Sequence, residues 1–126
     1  MKLSSLAAFL EGNLSAPAYR TEIAEELQRH LAGLRGPSRT APVESAEDHD
    51  LRFGPSEFVR LCNFYASGQL SAEELAYTAD ILELSERVEF TDERVAHDLG
   101  LCTDPEINGP MSPARALALA GHYNAA

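Results

Sequence analysis

Gly68-Gln69-Leu70-Ser71-Ala72-Glu73-Glu74-Leu75 carries the marks of a helix hairpin within eight residues. Gly68 can close one helix in a left-handed conformation, Leu70 plugs the turn, and Ser71 opens the next helix. Ser71 and Glu74 have capping-box spacing, so each side chain can satisfy the other's orphan backbone N–H. Downstream, Leu75, Ala79 and Leu82 run inward along one helical face, with Ile81 and Leu84 alongside. Upstream, Phe58, Leu61, Cys62 and Tyr65 fall at i, i+3, i+4 and i+7 after Gly54-Pro55, marking another buried face.

The same punctuation occurs 56 residues earlier, in Gly12-Asn13-Leu14-Ser15-Ala16. Leu3, Leu6, Ala7 and Leu10 line a short amphipathic helix before it. After it, Ser15 and the first-turn Pro17 start a long helix. Tyr19, Ile23, Leu27, Leu31 and Leu34 form its stripe, which ends near Gly33 or Gly36. The helix–G-x-L-S–helix unit thus appears twice, as a weak internal repeat. Met1-Lys2 and the apolar run Leu3–Leu10 resemble a short signal peptide, with Ala16-Pro17-Ala18 as a cleavage site. Glu11 ends that run early and its apolar residues share a helix face, so an uncleaved first helix is expected.

Residues 35–54 lack periodicity and read as an internal flexible loop joining the two halves. Past Leu84, Arg87-Val88-Glu89-Phe90 is a short extended piece, and Thr91 is the expected cap of a helix with Val95, Leu99 and Cys102 inside. Asp104-Pro105 and Gly109-Pro110 make a rigid turn. Ser112-Pro113 start a last Ala/Leu-rich helix that stops near Gly121. The expected fold is all-α: one domain over residues 1–126, a small bundle of six helical segments. Two related hairpins and a C-terminal helical extension would compose it.

The chain has 126 residues, 44% of them hydrophobic, and a formal net charge of −10. That length buries roughly two-thirds of the unfolded surface, so no metal or disulfide is needed for stability. No apolar run approaches the ~20 residues of a membrane span. The charge is uneven. Residues 71–106 hold eleven acids against Arg87 and Arg94, whereas residues 1–70 hold nine acids and seven bases. Such a surface repels nucleic acid, whose affinity comes largely from Lys and Arg on phosphates. It attracts and steers a basic protein. Cys62 and Cys102 fall on apolar helical faces and read as reduced core residues, which points to the cytoplasm.

Motifs for chemistry are few. Asp104-Pro105-Glu106-Ile107-Asn108-Gly109 follows the opening spacing of a calcium-binding loop, but the final bidentate Glu is replaced by Arg115. Glu47-Asp48-His49-Asp50 sits in the expected loop, without the fixed geometry of a metal site. His30, His97 and His122 have no second ligand at i+3 or i+4, so no helical zinc pair is expected. Phosphate-binding, dinucleotide and nucleophile-elbow motifs are missing, and neither cysteine sits in a local Cys–His arrangement. No catalytic residue, metal or cofactor is assigned. An enzyme is not expected.

The expected binding face lies on the helix from Ala72 to Leu84. Glu73, Asp80 and Glu83 project from one side, with Tyr77 beside them as an aromatic anchor. Glu74 already has a capping role, and Asp92 and Glu93 suit the positive end of a helix.

Phe9, Gly12, Leu14, Ser15 and Tyr19 resemble the aromatic–G-x-[IL]-S–aromatic signature of bacterial colicin-D-type immunity proteins. A looser copy at 64–75 contains Gly68, Leu70, Ser71 and Leu75. Each copy spans roughly a fifth of the chain; the second, and Thr103–Pro110, depart from that pattern. The resemblance implies a small acidic helical protein that caps the basic active site of a toxin nuclease. The expectation is an acidic protein-binding domain, immunity- or antitoxin-like. The alternative is a self-associating structural or adaptor protein, a homo-oligomer joined through a face such as that of Ala114–Ala120.

Overall fold

The computed structural model describes residues 1–36, 43–103 and 105–123, without the side chains of Glu106 and Ile107. The fold is mostly helical. Helices α1 (Leu3–Leu10) and α2 (Ala16–Arg35) form the first hairpin. Strand β1 (Leu51–Phe53) leads into α3 (Pro55–Ala66) and α4 (Ala72–Leu84), the second hairpin. Strand β2 (Val88–Phe90), α5 (Glu93–Gly100), the single-turn α6 (Pro105–Asn108) and α7 (Pro113–Gly121) follow.

The two hairpin turns share one hydrogen-bonding scheme. Gly12 and Gly68 have φ of +86° and +83°, the left-handed region that glycine enters without a Cβ penalty. Gly12 N–H donates to Phe9 O at 3.2 Å, and those of Asn13 and Leu14 both donate to Ala8 O. Gly68 N–H donates to Tyr65 O at 3.0 Å, and those of Gln69 and Leu70 both donate to Phe64 O. Ser15 Oγ accepts from Ala18 N–H, as Ser71 Oγ does from Glu74 N–H. The second turn also has the reciprocal arm, Ser71 N–H to Glu74 Oε1 at 2.7 Å. The first turn has Ala18 at that position and lacks it.

Aromatic packing joins the hairpins. Phe9 stacks on Tyr19 at 4.2 Å and on Phe64 at 4.4 Å. The Tyr19 hydroxyl, wholly buried, shares a 2.6 Å hydrogen bond with Thr78 of α4. Leu3, Leu6, Ile23, Leu61, Leu75, Ile81 and Leu82 fill the core around them. Helix α7 packs along α3 through Ala116, Leu119 and Ala120.

A purely helical fold is corrected by a two-stranded parallel sheet, in which Leu51, Arg52 and Phe53 pair with Val88, Glu89 and Phe90. Gly54 follows β1 where a Cβ would meet Thr91 Oγ1 at 2.4 Å, so the close approach requires glycine. The cap of α5 is Asp92 rather than Thr91; its side chain accepts from Arg94 N–H at 2.8 Å.

The 35–54 loop also needs correction. Residues 37–42 lie outside the described residues, and Arg35 still belongs to α2. Residues 43–53 form a strap fixed at both ends. Lys2 and Ala46 form a parallel bridge, and Leu3 N–H donates to Ala46 O at 3.0 Å. The Met1 amino group donates to Glu44 O and to buried Glu26 Oε2. Arg29 forks onto both oxygens of Glu44, and Ser4 holds both oxygens of Asp48. Arg87 binds Glu47 O and Asp50. Polar pairs of this kind leave no hydrophobic period for sequence reading to detect. Among the described residues no helix is long and apolar enough to cross a membrane.

Candidate partner-binding surface

Helix α4 is held at its start by the capping box and by Arg20, whose Nε donates to Glu74 Oε2 at 2.8 Å. Glu74, Leu75, Tyr77, Thr78, Ala79, Ile81 and Leu82 are all buried, so the helix is covered around most of its circumference. What remains for solvent is a narrow strip. Glu73 and Glu83 are exposed on it, and Asp80 is half-buried between them.

Tyr77 does not share that strip, and its reading as an exposed anchor is corrected. The residue is wholly buried. Its hydroxyl accepts from Glu44 N–H at 3.1 Å, and its ring meets His30 edge-on at 4.8 Å. Burial, foremost, pushes the phenol well above its ordinary pKa. Tyr77 therefore ties α4 to α2 and the strap. Asp80 Oδ2 lies 3.7 Å from His30 Nε2. Glu83 reaches across to α5, where its Oε1 would stand 3.0 Å from a Cβ at Gly100. Loss of water there, and then the nearby Asp80 charge, raise the Glu83 carboxyl above the usual carboxylate range.

Acids with and without a cation occur along the whole chain. Glu26, Glu44, Asp50 and Glu74 each face a cation. Asp48 is held by Ser4, which lowers its pKa. By contrast, Glu73, Glu83, Glu86, Glu89 and Glu93 make no ion pair among the described residues. All five are exposed.

An apolar groove adjoins this acid-rich side. It has a volume of about 250 Å³ and opens between α2, α4 and the segment before α7. His30, Leu31 and Leu34 form one wall; Ala72, Glu73 and Ala76 form another. Cys102, Thr103, Pro105, Pro110 and Met111 close it. The apolar stripe of α2 explains the opening. Tyr19 and Ile23 are fully buried, Leu27 and Leu31 partly, and Leu34 is 49% exposed. At 1.5 Å per residue, the 20 residues of α2 outrun the 13 of α4 by about 10 Å. The stripe signalled this groove, but its spacing alone does not show where cover ends.

Several of the remaining chemical candidates make structural contacts among the described residues. Arg115 Nη1 donates to Asn108 O at 3.0 Å, placing a cation inside the calcium-like loop. Asp104 and the Glu106 side chain, the other candidate ligands, lie outside what is described. Asp48 and Asp50 belong to the strap. Cys62 and Cys102 are free and buried. The hydrogen bond to Cys102 and then burial push the Cys62 thiol far up, which suppresses the nucleophilic thiolate. Buried Asp98, which sequence reading passed over, accepts from the Tyr123 hydroxyl at 2.6 Å and anchors the end of α7.

Comparison with protein-family models, curated proteins and solved structures gives no match for this chain.

Proposed function

We propose that this chain is an acidic protein-binding domain of the immunity or antitoxin kind, acting in the bacterial cytoplasm by binding and not by catalysis. It covers a basic surface of a toxin or nuclease and offers carboxylates where that surface would take phosphates. The observation that carries this reading is the acid around α4 and α5: Glu73, Glu83, Glu86, Glu89 and Glu93 face solvent without a cation among the described residues. Glu73 and Glu93 lie in first helical turns, where the macrodipole favours them; Glu83, Glu86 and Glu89 have no such helix-end role, and exposed like charges repel one another. The scaffold is read as a bundle of two related hairpins with a C-terminal extension, and the short strands act as a clasp.

Self-association through Ala114–Ala120 has less support. Ala116, Leu119 and Ala120 are already buried, leaving Leu117 as the large apolar side chain still exposed on α7. A net charge of −10 also opposes the approach of a second copy.

The test is affinity capture from the source cells with wild type and with Glu73→Lys/Glu83→Lys. Wild type should retain a basic protein that elutes with salt, and co-expression should relieve that protein's toxicity. Equal retention of the same protein by the charge-reversed variant would sink the proposal.

A further inference from the structure

We infer that the groove between the C-terminal end of α2 and the N-terminal end of α4 receives an amphipathic helical segment of a basic protein. The inference rests on the acidic-domain reading and names the partner's contribution. Tyr77 is wholly buried and offers no aromatic anchor to a partner. The vacancy is of the opposite kind. The open end of the α2 stripe, at half-buried Leu31 and exposed Leu34, faces the small side chains of Ala72 and Ala76. A volume of about 250 Å³ falls below the usual 300–1,000 Å³ of pockets for drug-sized molecules. It suits one or two large apolar side chains. Desolvated pockets of this size hold the anchors that dominate protein interfaces.

Charge selects the occupant. Glu73 is part of the lining, is exposed and makes no ion pair among the described residues. A segment that seats an apolar residue in the groove with Lys or Arg beside it matches both features. A second copy of this chain is a poor fit, because it brings another net charge of −10.

The probe is a fluorescein-labelled four-turn peptide with Leu and Phe on one face and Lys on the other. A control peptide carries Glu in place of every Lys. Fluorescence anisotropy with the full chain should saturate for the basic peptide alone. Leu34→Asp, at an exposed position, and Ala76→Leu, which fills the groove, should each weaken binding roughly tenfold or more. Circular dichroism and melting establish that both variants stay folded. Amide NMR shifts should concentrate at Leu31, Leu34, Ala72, Ala76 and Met111.

Absence of basic-peptide binding at millimolar concentration, or equal binding of the acidic peptide, would overturn the inference. If Glu73→Lys/Glu83→Lys abolishes binding while both groove variants bind like wild type, the acidic-domain reading stands and the groove is refuted. The reverse pattern refutes the charge reading and leaves an apolar groove without the inferred selectivity. A wild-type dimer in sedimentation that Leu34→Asp converts to monomer would give the groove to a second copy, which also overturns the inference.

Discussion

Tyr77 and Glu83 lie on one helix, yet the chain uses them in opposite ways. Tyr77 fills the space between α4, α2 and the strap, so Tyr77→Ala should leave a cavity and cost roughly 3–5 kcal/mol of stability. Tyr77→Phe should cost only about 1 kcal/mol, through loss of the hydrogen bond to Glu44 N–H. Urea denaturation measures both; a fully stable Tyr77→Ala chain would contradict the buried placement. Glu83 is poised by electrostatics. Desolvation and Asp80 raise its folded pKa above the ordinary 4.5. Its neutral form is thus favoured on folding: the stability it contributes is full below 4.5 and is lost as pH rises through the raised value. NMR titration should find the Glu83 carboxyl high, and Asp80→Asn should lower it. A docked Lys or Arg should lower it too, so binding in that window should release a proton.

At the scale of elements, the two G-x-L-S turns offer a matched pair of tests. An added Cβ meets nothing within 4 Å at Gly68 and only Arg60 Nη1 at 3.8 Å at Gly12. Gly12→Ala and Gly68→Ala should therefore suffer the left-handed strain alone, roughly 1–2 kcal/mol each. Costs differing several-fold by thermal unfolding would break the equivalence of the turns. These hairpins were legible in the sequence because capping residues and helical periods agree over long segments. The parallel strands were not, because Leu51-Arg52-Phe53 and Val88-Glu89-Phe90 are each too short for alternation to stand out. Tyr77 was misplaced for another reason: α4 is buried on most sides, so acidic neighbours in sequence do not mark its exposed strip. The strap depends on partners distant in sequence, whose pairing no local pattern encodes. Arg29 holds Glu44, Ser4 holds Asp48 and Arg87 holds Asp50, which lowers the pKa of each acid. Their contribution is present above the ordinary carboxylate values and is lost as pH falls through the lowered ones. Amides of Leu3, Ala46, Leu51 and Thr91 should then exchange faster on acidification, after correction for intrinsic rates, while that of Leu75 stays protected. Arg87→Ala should loosen Leu51 at neutral pH; unchanged protection there would remove Arg87 from the clasp.

Over the whole molecule, charge and apolar surface are divided between distinct tasks. In the N-terminal hairpin and strap, Glu26, Glu44 and Asp50 are paired with Met1, Arg29 and Arg87. The α4–α5 side presents Glu73, Glu83, Glu86, Glu89 and Glu93 to solvent beside an apolar groove that is open among the described residues. Long-range attraction should accordingly govern how fast a basic partner arrives. The most direct measurement is the association rate with the captured basic partner as salt rises from about 0.01 M to 1 M, over which the Debye length falls from about 30 Å to 3 Å. The rate for wild type is expected to drop about tenfold or more, and for Glu73→Lys/Glu83→Lys to start lower and depend less on salt. A rate that ignores salt and is the same for both proteins would contradict binding through the acidic face.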